Sequence, residues 1–213
     1  MTLCYVTDRK AFAGSPQEQI RALIAKMESA ASAGVDCIQI REKDLPAREL
    51  AAIVEAALRR IPRSCRILVN DRLDVAAACG AGGVHLGERS VPVEQAKRFV
   101  REKKLGDDFL VGVSVHSLES AQLAEQAAAD YIIFGPVYGT PSKVALGQPQ
   151  GTDRLANVCE NVAIPVMAIG GIAPRNLRDC MNAGASGIAA IRMFQDADDV
   201  HGLVQALHHH NRI

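Results

Sequence analysis

The chain has 213 residues, enough for a sizeable core within one domain. Apolar residues make up 48% and charged residues 23%, the balance of a soluble globular protein and not of a disordered one. Formal net charge is zero, so no global field exists to attract nucleic acid or an anionic membrane surface, although a local basic site is compatible with it.

Leu3–Val6 reads as a first strand, ending at Thr7-Asp8-Arg9. Ser15-Pro16 then opens a helix, with Ser15 as N-cap and Pro16 at the first helical position. Ile20, Leu23, Ile24 and Met27 follow at helical spacing, and Ala33-Gly34 stops the helix. Cys37–Arg41 is strand two. The second helix runs from Leu45-Pro46 through Arg60, with Leu50, Ile53, Val54, Ala57 and Leu58 on one face. Arg66–Asn70 is strand three, Leu73–Cys79 a short helix and Gly82–Leu86 strand four. Val91-Pro92 begins a helix that ends near Leu105-Gly106. Leu110–Ser114, Leu118–Ala129 and Tyr131–Phe134 continue as strand, helix, strand. After a long loop come a helix at Asp153–Asn161, strand seven at Ile164–Ile169, a helix at Pro174–Ala183, strand eight at Gly187–Ile191 and a last helix at Ala197–His210.

Eight strand-then-helix units follow one another with no composition break. Spread over 213 residues this gives roughly 27 per unit, near the ~30 of a barrel of ~250 residues. Strict alternation implies a parallel sheet with right-handed crossovers. The α/β chain is therefore expected to be a single (β/α)8 TIM barrel, one domain over residues 1–213, with a doubly wound open sheet as the fallback. Small residues recur before strands at Ser32-Ala33-Gly34, Gly80-Ala81-Gly82 and Ala183-Gly184-Ala185, and let each helix turn tightly into the next strand.

The six cysteines include no CxxC pair and several lie in apolar runs, so they read as small buried hydrophobes in a reducing compartment. The N-terminus looks like a strand and not a signal peptide. No apolar stretch approaches the ~18–20 residues of a membrane span, and a cytoplasmic location is expected.

In this fold all strand C-termini share one face, which carries the site. Gln39-Ile40-Arg41-Glu42-Lys43-Asp44, Asn70-Asp71, Ser114-Val115-His116-Ser117 and the run Gly135–Lys143 would converge there. His85-Leu86-Gly87-Glu88, Gly170-Gly171 and Ile191-Arg192 join them. Loops after strands seven and eight are a common phosphate site, because glycine allows close approach and backbone N–H groups point outward. Arg41, Lys43 and Lys143 add cations to the rim; Arg grips phosphate oxygens bidentately and Lys acts as a point charge. Asp71, a carboxylate amid phosphate-binding cations, suggests Mg2+ bridging a diphosphate. The expected ligand is thus a small phosphorylated or diphosphorylated molecule. Each cluster alone has a plainer explanation: a solvated strand end for Gln39, Arg41 and Lys43, a helix cap for Asn70-Asp71, turn hydroxyls for Thr140 and Ser142, a rim histidine for His116. Their joint placement argues otherwise. The His208-His209-His210 run closes the last helix and is not read as a metal site.

These motifs resemble the thiamine-phosphate synthase/TenI family over nearly the whole chain. The residues that carry the resemblance are Gln39–Lys43, Asn70–Ala76, Gly83–Gly87, Gly112–His116, Phe134–Tyr138 with Thr140–Lys143, and Ile169–Ile172. The resemblance implies a (β/α)8 barrel that joins hydroxymethylpyrimidine diphosphate to a thiazole phosphate and releases diphosphate. It implies that Gln39, Arg41, Lys43, Asn70, Ser114 and Lys143 hold the pyrimidine diphosphate, and that Asp71 binds Mg2+. Thr140, Ser142, Gly171, Ile191 and Arg192 would surround the thiazole phosphate. Arg41, Lys43, Ser114, His116 and Lys143 are the candidate catalytic residues. The implied chemistry is dissociative, with a pyrimidine-methyl cation attacked by the thiazole nitrogen.

Two departures from the synthase pattern stand out. Ser90 occupies the place of a second Mg2+ carboxylate, with Glu88 nearby but out of register, and Arg192 replaces the serine that usually follows the strand-eight isoleucine. Both point toward the family's TenI-like thiazole tautomerases, which need no metal and use a histidine matching His116. The intact Gln39–Lys43 and Asn70-Asp71 motifs favour the synthase. The first reading is therefore a transferase of thiamine biosynthesis using Mg2+, the alternative a tautomerase, and the third a non-catalytic phosphate-ligand barrel. Expected partners are the small phosphorylated substrates, with a homodimer as the candidate assembly and no nucleic acid or membrane.

Overall fold

The computed structural model describes residues 1–139 and 148–210. Its strands are β1 (Thr2–Val6), β2 (Cys37–Ile40), β3 (Arg66–Asn70), β4 (Gly83–Leu86), β5 (Leu110–Val115), β6 (Tyr131–Phe134), β7 (Val166–Ile169) and β8 (Gly187–Ala190). They pair in parallel in sequence order, and β1 pairs β8 through Thr2↔Gly187 to Tyr5↔Ala190, closing the barrel. The chain is a (β/α)8 TIM barrel, as the strand–helix alternation predicts.

The helices are α1 (Pro16–Ala33), α2 (Ala47–Arg60), α3 (Leu73–Cys79), α4 (Val93–Lys103), α5 (Leu118–Gln126), α6 (Gly151–Asn161), α7 (Leu177–Asn182), α8 (Arg192–Gln195) and α9 (Val200–His210). The start of α1 is a capping box: Glu18 N–H donates to Ser15 Oγ at 3.4 Å while Ser15 N–H donates to Glu18 Oε2 at 2.7 Å. Gly34 ends it in the left-handed region at φ 101°. On α2, Leu50, Ile53, Val54 and Ala57 are buried against the sheet, as their spacing predicts.

Strand alternation splits the apolar interior in two. Cys4, Val6, Cys37, Leu68, Tyr131, Ile133, Met167 and Ala189 form one cluster, filling the barrel from alternate strand positions. The larger cluster lies between sheet and helices and includes Leu3, Tyr5, Ile38, Ile40, Val69, Val84, Leu86, Ile132, Phe134 and Ile188. Cys4, Cys37, Cys65 and Cys180 are buried and all six cysteines are free thiols. Among the described residues no helix is long and apolar enough to cross a membrane.

The ends of several elements differ from the sequence reading. A 3-10 turn at Pro174–Asn176 precedes α7, and α5 stops at Gln126, with Ala128 left-handed at φ 62°. The helix α8 is new, because four residues are too short for any apolar period to show. Its Gln195 is 5% exposed and receives Tyr5 Oη at 2.8 Å and Asp8 N–H at 3.3 Å, tying α8 beneath the end of β1.

Candidate active site

At the carboxyl ends of the strands lies a cavity of about 380 Å3. Gln39, Arg41, Lys43, Asn70, Ser114, His116 and Ile191 line it, together with Val6, Asp8, His85, Gly87, Glu88, Ile133 and Ile169. Residues spread from β1 to β8 thus share one mouth. The polar groups are two cations (Arg41 and Lys43), two carboxylates (Asp8 and Glu88), amides, a hydroxyl and imidazoles. Val6, Ile133, Ile169 and Ile191 supply apolar wall, a combination suited to a flat ring carrying an anionic group.

Gln39 is the most informative of these residues. Its side chain is 2% exposed, yet among the described residues its Nε2 makes no hydrogen bond. A buried amide without a protein partner is costly, and a ligand, an ion or a water must complete it. Gln39 lies on β2 directly before the turn that carries Arg41 and Lys43, so one strand end aims a donor and two cations into the same cavity.

A buried ionic network holds that strand end. Thr7 Oγ1 donates to Glu42 Oε1 at 2.7 Å and receives Arg41 N–H at 2.9 Å. Arg9 Nη1 meets Glu42 Oε2 at 3.0 Å, and its two terminal nitrogens grip Asp44 at 2.6 and 2.7 Å. The Arg9 hydrogen bonds hold the Asp44 carboxyl well below the usual carboxylate range, and Asp44 in turn raises the Arg9 guanidinium. Glu42 and Asp44 therefore serve structure, while Arg41 and Lys43, which alternate with them along the chain, line the cavity.

Asn70 ends β3 and pairs in register with His85 of β4. Asp71 follows in the left-handed region at φ 69°, and its N–H donates to His85 O at 2.8 Å. The N-cap of α3 is Arg72, with no side-chain cap, so the Asp71 carboxylate is not spent on the helix. Ser90 hydrogen-bonds it instead, and the same Ser90 Oγ receives Gly87 N–H at 2.6 Å. Asp71 lies beside the cavity wall at Asn70 and does not itself line the cavity.

On β5, Ser114 Oγ is 2.9 Å from His85 Nε2. His116 just beyond lines the cavity and has Nδ1 on the Gly135 carbonyl, which places the lone pair of the neutral ring on Nε2. Gly170 and Gly171 are left-handed at φ 100° and 63°. A Cβ on Gly170 would lie 2.5 Å from Pro136 Cβ, and one on Gly171 would lie 2.6 Å from Gly139 O, so both glycines let the loop after β6 pack down. Gly171 and Arg192 do not line the cavity. Thr140, Ser142 and Lys143 lie outside the described residues. The sequence reading brought His85 and Glu88 to this face with the end of strand four but gave His85 no role, and it did not single out Asp8, which also lines the cavity.

Mg2+ takes one or two carboxylates, keeps waters and shares substrate phosphates. Among the described residues no group of three or more His, Cys, Asp or Glu could hold a metal ion. Asp71 beside the wall and Glu88 on it nonetheless suit a cation held jointly with a diphosphate, not one caged by protein alone.

Eight parallel strands whose carboxyl ends gather cations and donors round one cavity define a (β/α)8-barrel protein with a small-anion site. The chain belongs to the thiamine monophosphate synthase family, whose model matches residues 3–194. It is 40% identical over 205 residues to the thiamine-phosphate synthase of Roseiflexus sp. (strain RS-1), covering 95% of this chain and 82% of that protein. It is 40% identical over 190 residues to the thiamine-phosphate synthase of Natronomonas pharaonis, covering 87% of this chain and 86% of that protein. The structure of thiamine phosphate pyrophosphorylase from Pyrococcus furiosus superposes with a TM-score of 0.83 at 32% identity, covering 98% of this chain and 94% of that one.

Proposed function

We propose that the protein is a transferase of thiamine biosynthesis that joins hydroxymethylpyrimidine diphosphate to a thiazole phosphate, giving thiamine phosphate and diphosphate. The carrying observation is the buried, unpartnered Gln39 amide on the same cavity as Arg41, Lys43, Asn70 and Ser114. The names of the relatives agree with it.

Gln39, Asn70 and Ser114 donate to the pyrimidine diphosphate, and Arg41, Lys43 and Lys143 neutralise its oxygens. Asp71, helped by Glu88, holds Mg2+, which when bound adds positive charge against the departing diphosphate. The bond from the pyrimidine methylene to oxygen breaks, and its electron pair leaves with diphosphate. The thiazole nitrogen then supplies the pair that forms the new C–N bond. Val6, Ile133, Ile169 and Ile191 enclose the rings and exclude water from the cation. By the family resemblance Thr140, Ser142, Gly171, Ile191 and Arg192 would surround the thiazole phosphate; of these Ile191 lines the cavity. All of this takes place in solution, in the cytoplasm.

The test incubates purified protein with both substrates, with and without Mg2+, and looks for thiamine phosphate. Mg2+-dependent product supports the transferase; its absence under saturating substrates overturns it. One observation favours a second reading. The lone pair on His116 Nε2, set by the Gly135 carbonyl, suits proton transfer on a thiazole carboxylate phosphate. In that tautomerase His116→Ala abolishes turnover and Arg41→Ala is mild, whereas the transferase reverses the order.

A further inference from the structure

Beneath Ser114 a hydrogen-bonded chain runs down the barrel. Ser114 Oγ is 2.9 Å from His85 Nε2, and His85 Nδ1 is 3.1 Å from Tyr131 Oη. The imidazole and phenol rings stack with centroids 5.6 Å apart and planes at 27°. Ser114 and His85 line the upper cavity, while Tyr131 lines a separate hollow of about 330 Å3 with Thr2, Cys37, Leu68 and Met167. The chain therefore starts in the apolar filling of the barrel and ends at the site. Gly112 on β5 makes room for the phenol: a Cβ there would lie 2.0 Å from Tyr131 Cζ.

The polarity of this chain follows from its buried end. Tyr131 is 5% exposed among Cys4, Cys37, Leu68, Ile133 and Met167, and burial keeps its phenol protonated. A buried O–H needs an acceptor, and among the described residues the partner of Tyr131 Oη is His85 Nδ1. If the phenol donates, Nδ1 carries the lone pair and the proton of the neutral ring sits on Nε2. Nε2–H then donates to Ser114 Oγ. The serine hydrogen, displaced from His85, turns to the cavity. Reversed polarity would strand the phenol hydrogen in apolar surroundings and aim serine lone pairs at an anion already faced by Arg41 and Lys43.

We propose that Tyr131 and His85 are positioning residues that fix Ser114 as a hydrogen-bond donor to the anionic group bound in the cavity. The identity of that group as a diphosphate rests on the function proposed above; the polarity of the chain does not. The phenol needs no contact with substrate. It sets the imidazole tautomer, and the tautomer sets which way the serine hydroxyl points.

The test has two readouts on the intact protein. Nitrogen-15 NMR of the histidine rings, with the His85 signals assigned by their loss in His85→Gln, should show Nε2 protonated and Nδ1 bare in the wild type. Tyr131→Phe should shift His85 toward the other tautomer. Calorimetry with inorganic diphosphate should show affinity about tenfold weaker in Tyr131→Phe and comparably weaker in Ser114→Ala, with the double variant no weaker than Ser114→Ala alone. A wild-type His85 with its proton on Nδ1 overturns the proposal without any variant. So does a folded Tyr131→Phe that binds diphosphate like the wild type, or additive losses in the double variant. Wild-type protein that binds no diphosphate overturns the assignment of the ligand, while the ring signals still decide the polarity.

Discussion

Arg9 Nη1 lies 3.0 Å from Glu42 Oε2, and both residues are buried, at 8% and 4% exposure. Glu42 sits between Arg41 and Lys43 in sequence but turns away from the cavity, so the pair anchors the turn that presents both cations. Removing one partner of a buried pair leaves the other charge uncompensated, at a cost of about 3–5 kcal/mol. Asp44 still holds Arg9 in Glu42→Ala, so the lower end of that range is expected, with a smaller loss in Glu42→Gln, which keeps an acceptor for Thr7. Urea unfolding measures the stability, and the KM for the diphosphate substrate should rise in Glu42→Ala. A variant as stable as the wild type would remove this anchor from the account.

Asp44 makes the protein acid-sensitive in a defined window. The Arg9 hydrogen bonds depress its folded pKa, so its contribution is complete above the ordinary aspartate value of about 3.9 and is lost as pH falls below that. Asp44→Asn should therefore be less stable than the wild type near neutral pH, and the gap between their urea midpoints should narrow below about pH 4. A gap that stays constant down to pH about 2 would show that the Arg9 contact does not carry the titration.

The barrel and the composition of its mouth were legible in the sequence because period and punctuation are local properties. Arg66–Asn70, Leu73–Cys79 and Tyr131–Phe134 could be bounded to the residue by their flanking Gly, Asp and charged positions. Gln39, Arg41, Lys43, Asn70, Ser114, His116 and Ile191 could be gathered because one fold rule sends all strand ends to one face. What stayed hidden depends on inward facing and on distance. Gln195 supports β1 from 190 positions away in sequence, and the Thr7–Arg9–Glu42 network joins residues whose charges alone look solvent-bound. Tyr131 looks like part of an ordinary buried strand until the register places its ring against His85.

Gly112 offers a packing test of the barrel interior. It sits on β5 beside the Tyr131 ring, with Cα register Gly112↔Tyr131, and an added methyl would overlap that ring. Tyr131 also lines a hollow of about 330 Å3, which gives the ring some room to shift, so Gly112→Ala should cost about 1–3 kcal/mol, the usual range for overpacking. Thermal unfolding followed by circular dichroism reads the loss. A melting temperature matching the wild type would mean that the ring can move aside cheaply.

Ser90 gives the most direct handle on the metal. Its hydroxyl hydrogen-bonds the Asp71 carboxylate and accepts Gly87 N–H, so the side chain at this position already lies against Asp71. Ser90→Asp would set two carboxylates side by side. They repel without a cation and share one when it is present. The variant should therefore melt lower than the wild type in chelator, gain more from added Mg2+, and reach half-maximal thiamine phosphate formation at several-fold lower Mg2+. Asp71→Asn should do the opposite and raise the Mg2+ requirement. The melting measurement needs no turnover, so it separates metal binding from catalysis. A Ser90→Asp protein whose melting temperature ignores Mg2+ would place the cation elsewhere in the mouth.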